Sequence, residues 1–151
     1  MKCTKFRKPG VRRMKGEYRH TLDTKGRVSV PSKLRDELGE RFTVTKGLDH
    51  CLAIYPESEW QELENKIRAL PMSKSRDLQR FLFSAAFDAE LDSQGRILLP
   101  ANLRTFAGLG KEVVIIGSAN HAEIWDAARW DAYNEEIDDA RIESAMEELG
   151  F

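Results

Sequence analysis

Two stretches of the chain alternate between polar residues and residues that can face a protein core. The core-facing positions are Tyr18, His20 and Leu22 in the first stretch and Phe87, Ala89 and Leu91 in the second. A period of two puts every second side chain on the same face, as in a half-buried β-strand. The pattern therefore predicts one strand before residue 23 and another before residue 92.

Each predicted strand leads into a tight turn of the form Asp-x-x-Gly. The carboxylate of such a turn accepts backbone N–H bonds from the following residues, and its glycine adopts a positive φ. We therefore predict that Asp23, Gly26, Asp92 and Gly95 form the turns. A second strand should follow each turn, over residues 27–30 and 96–99, and end at a proline that cannot donate to a β-ladder.

The segments after these prolines also resemble each other. Proline suits the first turn of a helix, so short helices are predicted over residues 31–38 and 100–107, each ending at a glycine. Further hairpins are predicted from strands 42–46 and 51–55, and from strands 112–116 and 122–125.

Three more helical segments complete the prediction. Helix 56–70, with Ser58 as its N-cap, and helix 75–86 carry apolar stripes that we interpret as core or protomer contacts. Asp126 is expected to cap a third helix that passes through Trp130 and Tyr133, and the acidic tail continues in a helical pattern.

These similarities reflect an internal duplication. Residues 23–35 align with residues 92–104 at an offset of 69, and six of the thirteen positions are identical. With one extra residue in the second copy, Ile54 aligns with Ile124 and Trp60 with Trp130. Unrelated segments of average composition share about one identity over such a length.

The duplication predicts how the chain folds. A module of about 40 residues is too small to bury its apolar faces alone. Two modules can pair about a pseudo-two-fold axis and close a small β-barrel without exposed edges. We predict an α+β, mainly β fold with intervening and C-terminal helices. The predicted segments are a basic, disordered extension (1–13), module 1 (14–60), a helical connector (61–85), module 2 (86–130) and an acidic helical tail (131–151).

Composition narrows the class of protein. The 151 residues are 41% hydrophobic, with 24 Lys plus Arg against 25 Asp plus Glu, which is typical of a folded globular protein. The longest apolar run, residues 113–116, cannot span a membrane. No signal peptide is visible, and Cys3 and Cys51 are too few for a disulfide framework, so a cytoplasmic protein is expected.

The sequence offers little for catalysis. His20, His50 and His121 share no metal-like spacing, and adjacent residues such as His50 and Cys51 rarely bind one metal ion. No nucleotide-binding or nucleophile-elbow motif occurs. We predict no enzymatic activity, no metal, no cofactor and no small-molecule substrate.

The repeated turns carry a resemblance. Asp23-x-Lys-Gly-Arg-Val-x-Val-Pro and Asp92-x-x-Gly-Arg-Ile-Leu-Leu-Pro resemble the two Asp-x-x-x-Arg signatures of the MraZ family, bacterial transcriptional regulators with tandem SpoVT/AbrB-type modules. The resemblance covers residues 14–130. It implies swapped-hairpin β-barrels, ring-shaped homo-oligomers, and repression of the protein's own cell-division and cell-wall operon through direct repeats in promoter DNA. The basic extension, and Gln94 where the first copy has Lys25, depart from the pattern.

The charges of the two copies differ. Residues 15–35 carry six positive and two negative charges, a net of +4, whereas residues 86–104 carry two and three, a net of −1. Phosphate binding requires local positive charge, so the first copy is expected to dominate a contact with double-stranded DNA.

The residues that we expect to contact DNA are basic. Arg27 is predicted to pair with guanine from a β-ribbon in the major groove, with Lys25, Lys33 and Arg35 nearer the phosphates. The remaining candidates are Arg19, Lys15 and Arg96. For Arg27 and Arg96, a purely structural Asp–Arg pair stays open.

Two other functions stay open as well. An antitoxin-like protein would bind a protein partner through the acidic tail, since residues 131–151 have a net charge of −7. A structural assembly protein would use the arginine turns to bind neighbouring subunits. A DNA-binding regulator would be associated with the nucleoid and assemble into a homo-oligomer.

Overall fold

The computed structural model describes residues 12–151. The basic extension, residues 1–13, was expected to be disordered. Residues 1–11 of it lie outside the described range.

The described residues form eight strands and six helices. The strands are β1 (Glu17–Thr21), β2 (Arg27–Ser29), β3 (Arg41–Lys46), β4 (Leu52–Pro56), β5 (Phe87–Glu90), β6 (Arg96–Leu98), β7 (Glu112–Ser118) and β8 (His121–Asp126). The helices are α1 (Ser32–Leu38), α2 (Glu57–Arg68), α3 (Met72–Phe83), α4 (Ala101–Ala107), α5 (Ala127–Glu136) and α6 (Asp139–Glu148), and a short 3₁₀ turn spans Leu48–His50.

The two repeats exchange their outer strands. A six-stranded antiparallel sheet has the order β1-β7-β8-β4-β3-β5, and a separate two-stranded ribbon pairs β2 with β6. The first strand of each repeat thus pairs with the third strand of the other, β1 with β7 and β5 with β3. The central contact joins the equivalent strands β4 and β8. The predicted α+β fold with swapped hairpins is confirmed.

The ends of the ribbon strands connect the repeats again. Strand continuation to Val30 and Leu99 was expected, but β2 ends at Ser29 and β6 at Leu98. The backbone N–H of Val30 donates to the carbonyl of Gly95 at 3.0 Å, and that of Leu99 donates to Gly26 at 2.8 Å. Each repeat therefore holds the turn of the other through a backbone hydrogen bond.

One core serves both repeats. The apolar side chains of this core are removed from water when they pack against each other, and this burial supplies the main driving force for folding. Its largest fully buried side chains come from both copies: Val28, Leu34, Leu38, Phe42, Leu52, Ile54, Ile97, Leu99, Leu103, Ile115 and Ile124.

Prolines set where the connector helices begin. Pro56 and Pro71, with φ of −56° each, occupy the positions before α2 and α3. The predicted N-cap at Ser58 is wrong, because Ser58 lies inside α2 and its hydroxyl accepts a bond from Arg12 at 2.7 Å. Helix α3 begins three residues before the predicted start at Ser75.

The C-terminal helices follow the expected pattern. Asp126 caps α5 by accepting from the backbone N–H of Arg129 at 3.3 Å, which confirms the predicted cap. The acidic tail is helical over Asp139–Glu148, where every residue is exposed. Within residues 12–151, no helix combines the length and the apolar character needed to cross a membrane.

Candidate nucleic-acid interface

The two Asp-x-x-Gly turns have the same hydrogen bonds. Asp23 Oδ1 accepts from the backbone N–H of Lys25 at 2.9 Å and of Arg27 at 2.8 Å. Asp92 Oδ1 accepts from the equivalent residues Gln94 and Arg96 at 2.8 and 2.9 Å. Backbone bonds of 3.0 Å from each glycine N–H to its aspartate carbonyl close the turns.

Each aspartate also pairs with the arginine of its own turn. Arg27 Nε donates to Asp23 Oδ2 at 2.8 Å, and Arg96 Nε donates to Asp92 Oδ2 at 3.3 Å. The backbone N–H of Arg27, followed by its side chain, lowers the pKa of Asp23 to about 2. The backbone N–H of Arg96 likewise lowers the pKa of Asp92. Both carboxylates are therefore ionised near neutral pH.

The two arginines differ in how much of the guanidinium stays open. Arg96 Nη1 lies 3.7 Å from Asp23 Oδ2, so Arg96 contacts both aspartates. The distal nitrogens of Arg27 have no hydrogen-bond partner among residues 12–151. The side chain of Arg27 is 34% exposed and that of Arg96 is 25% exposed. An arginine held at Nε keeps its outer N–H groups for a second partner.

The ribbon displays both arginines on one face. Val28 pairs with Ile97, and both side chains are buried. Because side chains alternate along a strand, the neighbouring positions face the other way. We call these positions the ribbon face: Arg27, Ser29, Arg96 and Leu98. Leu98 is 59% exposed, so this face is open to solvent.

One arginine from α1 and one from α4 pack against the Asp-x-x-Gly turns. Arg35 Nε donates to the carbonyl of Val30 at 2.9 Å, and Arg104 Nε donates to that of Leu99 at 3.1 Å. The guanidinium of Arg35 lies against Gly95 and that of Arg104 against Gly26, each in the other repeat. Arg35, expected near the phosphates, thus contacts a turn of its own chain.

Arg104 was not among the predicted site residues. It aligns with Arg35 at the same offset of 69 that relates the turns, so the duplication contained the signal. Each arginine packs on the opposite repeat, and that contact depends on how the two copies dock. The spacing of residues along the chain does not predict this docking.

The predicted lysines of the first copy flank the ribbon. Lys25 lies in the turn before β2, and Lys33 lies in the first turn of α1 after β2. Both side chains are exposed, and neither forms an ion pair within the part of the chain that the structure describes. They add positive charge just before and just after β2 along the chain.

Two further candidates lie away from the ribbon. Arg19 Nη2 contacts Asp131 at 2.7 Å and Glu17 at 3.2 Å, and these carboxylates raise its pKa. Lys15 precedes β1, at the end opposite the Asp23 turn. The structure therefore brings Lys25, Arg27 and Arg96 together and leaves Arg19 and Lys15 outside the group.

The described residues offer no metal site. Across residues 12–151, no group of three or more His, Cys, Asp or Glu side chains could hold a metal ion. Cys51 is buried, and burial raises the pKa of its thiol well above the ordinary range.

Comparison with known proteins identifies the repeated unit. The family model described as "MraZ protein, putative antitoxin-like" matches twice, over residues 14–81 and 82–150. The chain belongs to the MraZ family. The two matches correspond to the two copies found in the sequence, and the second MraZ match extends through the acidic tail to residue 150.

Curated MraZ relatives match over most of their length. A relative from Halothermothrix orenii is 50% identical over 140 residues, which are 90% of this chain and 98% of the relative. Another, from Desulfitobacterium hafniense, is 53% identical over 132 residues, which are 86% and 92% of the two chains. A third, from Alkaliphilus oremlandii, is 53% identical over 140 residues, or 90% and 98%. All three are named "Transcriptional regulator MraZ".

Proposed function

We propose that this chain is a transcriptional regulator that binds double-stranded DNA in a sequence-specific manner through the ribbon face. The observation that carries the proposal is the guanidinium of Arg27, which Asp23 holds at Nε while its outer nitrogens stay without a partner among residues 12–151. The names of the relatives support a role in transcription.

The ribbon has the shape and chemistry of a major-groove reader. A two-stranded ribbon fits the major groove of B-DNA, and an arginine donates two parallel hydrogen bonds to O6 and N7 of guanine. The ion pair between Arg27 and Asp23 orders the side chain before DNA arrives, so less rotamer entropy is lost on binding. Lys25 and Lys33 supply attraction to phosphates on either side of the ribbon.

Assembly compensates for the weak charge of a single subunit. The chain has a formal net charge of −1, so one subunit offers few phosphate contacts. A ring-shaped homo-oligomer that engages direct repeats would gain about 10²–10⁴-fold in apparent affinity without new contacts. We propose that the direct repeats lie in the promoter of the protein's own operon, and that binding represses it. The protein would then be cytoplasmic and associated with the nucleoid.

The test is a fluorescence-anisotropy titration of DNA from upstream of the protein's own gene, at several salt concentrations. Arg27→Lys keeps the charge but loses the bidentate geometry, so discrimination against a scrambled sequence should fall by about 5- to 150-fold while the salt slope stays similar. Arg27→Ala should also reduce the salt slope by about one unit.

The matched control is Arg41→Ala. Arg41 is an exposed arginine of β3, outside the two ribbon strands, and it pairs with Glu90 at 3.3 Å. Circular dichroism checks that all variants fold. If Arg27→Ala binds DNA as Arg41→Ala does, the base-reading role is overturned. If Arg27→Ala abolishes assembly instead, the arginine turns serve a structural assembly function.

The acidic tail favours a second candidate, an antitoxin-like protein that binds a basic protein. Helix α6 is fully exposed and rich in carboxylates, and the family description includes the words antitoxin-like. A pull-down that returns one basic protein in a 1:1 ratio, lost on deletion of residues 138–151, would support this function over DNA binding.

A further inference from the structure

Helix α6 carries an apolar stripe that no other element of residues 12–151 covers. Ile142, Met146 and Leu149 recur at spacings of four and three residues, which places them on one side of the helix. Ile142 is 52% exposed and Leu149 is 71% exposed, and Phe151 extends the stripe at the C-terminus. A contiguous exposed apolar stripe of this kind marks an interaction surface.

The length of α6 also indicates a missing contact. The helix has ten residues and an N-cap, in which Asp138 accepts from the N–H of Ala140 at 3.0 Å. Isolated helices shorter than about 12–15 residues are marginal in water, and most helices in proteins are stabilised by packing. Every residue of α6 is exposed in the part of the chain that the structure describes, so we infer that this packing comes from another molecule.

The charge around the stripe defines the chemistry of the partner. Residues 135–148 contain seven acidic residues and one basic residue, Arg141, for a net charge of −6. This charge repels DNA and favours a surface that is both basic and apolar.

The chain exposes such a surface where α2 meets α3. We call residues 66–80 the basic elbow. Leu70 and Met72 are exposed there, with Met72 at 75%. The charged residues of the elbow give a net charge of +4: Lys66, Arg68, Lys74, Arg76 and Arg80 against Asp77.

The positive charge of the elbow is largely uncompensated. Lys66 and Arg68 contact Glu62 and Glu64 at 3.6 Å each, and such exposed pairs on one helix are weak. Within residues 12–151, no ion pair engages the three basic residues of α3, which are Lys74, Arg76 and Arg80.

We propose that α6 of one subunit docks on the basic elbow of the next subunit, head to tail. The apolar stripe would cover Leu70 and Met72, and the carboxylates of α6 would face the lysines and arginines of the elbow. Two different surfaces joined in this way generate a ring when the rotation closes. The inference rests on the homo-oligomer of the proposed function and names the interface that builds it.

Mixing two complementary variants tests the interface. Ile142→Asp/Met146→Asp inactivates α6 and leaves the elbow intact, whereas Met72→Asp/Lys74→Glu inactivates the elbow and leaves α6 intact. All four side chains are exposed, so the subunit fold should be unaffected. By light scattering after size exclusion, each variant alone should have the monomer mass of 17.3 kDa. An equimolar mixture should form a 1:1 dimer and nothing larger.

Charge exchange tests whether these two surfaces contact each other. Glu143→Lys/Glu147→Lys alone should reduce assembly, and so should Lys74→Glu/Arg76→Glu alone. Combining all four changes in one chain should restore the wild-type mass. Lys111→Glu, an exposed charge reversal outside both surfaces, is the control and should leave the mass unchanged.

The outcomes separate this interface from the proposed function. A monomeric wild type overturns the head-to-tail contact and the homo-oligomer, while anisotropy with a single DNA repeat still reports on the ribbon. An oligomer that survives both double variants overturns the α6–elbow interface alone. Elbow variants that lose single-repeat DNA binding without a change in mass would also overturn it, because the elbow would then bind phosphate.

Discussion

At the residue scale, Asp23 is the organising side chain of the candidate interface. Its two oxygens accept from the backbone of Lys25 and from both the backbone and the side chain of Arg27, at 2.8–2.9 Å. Arg96 of the second repeat lies 3.7 Å from the same carboxylate. One charge therefore fixes the turn, orients the proposed base-reading arginine and links it to its counterpart.

The ionisation of Asp23 predicts a pH-dependent contribution to stability. Its pKa is about 2 in the folded chain, below the ordinary value of 3.8, so the unfolded chain binds the proton first as pH falls. The stabilisation is fully present above pH 5 and is lost between pH 4 and pH 2. In urea titrations, Asp23→Asn should have a lower midpoint than the wild type near neutral pH, and the difference should shrink across that window. A difference that stays constant down to pH 2 would contradict the assignment.

The contact between Arg104 and the first turn predicts an unequal cost for two glycine substitutions. Gly26 has a φ of +86°, and a Cβ there would lie 2.9 Å from the Arg104 guanidinium and 3.1 Å from the Leu99 carbonyl. Gly108 has a φ of +60°, and a Cβ there would meet only Arg129 Cδ, at 4.0 Å. Each alanine should cost about 1–2 kcal/mol for its backbone conformation. Gly26→Ala should cost about 1 kcal/mol more, because Arg104 has to move and would lose its hydrogen bond to the Leu99 carbonyl. Equal unfolding free energies for the two variants would show that the contact is absent.

At this scale the sequence predicted the contacts within each turn better than the contacts between a turn and the opposite repeat. The Asp–Arg pair was one of two alternatives for Arg27 and Arg96, and the structure contains it in both copies. The position of Arg35 on the opposite repeat was not predictable. Turn chemistry depends on neighbours along the chain, whereas that contact depends on how two distant segments pack.

At the element scale, the ribbon has one buried and one open face. Ile97 is 1% exposed and Leu98 is 59% exposed, although the two residues are adjacent in β6. The ribbon therefore belongs to the core through one face and to the candidate DNA interface through the other.

This arrangement predicts opposite effects for neighbouring alanine substitutions. Ile97→Ala should reduce the free energy of unfolding by about 2–5 kcal/mol, because it leaves a cavity in the core. Leu98→Ala should change it by less than about 0.5 kcal/mol. Urea denaturation of both variants measures the difference. Should Leu98→Ala prove as destabilising as Ile97→Ala, the assignment of the two faces would be wrong.

The sequence predicted which elements form more accurately than where they begin. The alternating and duplicated segments indicated the strands, and Asp126 indicated the start of α5. The predicted N-cap at Ser58 was wrong because Pro56, with an extended ψ, ends β4 and occupies the N-cap position itself. Helix α2 therefore begins at Glu57, directly after the proline. The same holds for α3, where Pro71 rather than Ser75 precedes the first turn.

At the scale of the whole molecule, the proposed function depends on several subunits acting together. A subunit of net charge −1 with one open arginine would hold a single DNA site weakly under the proposed function. Three correctly spaced repeats in one DNA fragment should therefore bind at least 10²-fold more tightly than one repeat. Anisotropy titrations of the two fragments at equal ionic strength measure the ratio. The Ile142→Asp/Met146→Asp variant, which is expected to be monomeric, is the control. Its affinities for the three-repeat and one-repeat fragments should differ only by the statistical factor for the number of binding sites. Equal affinities for the wild type would remove the role of avidity.

The exchange of β1 and β5 between the repeats has a consequence for how the subunit folds. Neither half can complete its own sheet, since β7 requires β1 from the first repeat and β3 requires β5 from the second. A peptide with one repeat would have to find a second peptide, and its folding would depend on dilution. Fusion in a single polypeptide replaces that bimolecular search with an intramolecular one at millimolar effective concentration. It also allows the two copies to diverge, so that one can specialise in phosphate attraction while the other keeps the scaffold intact.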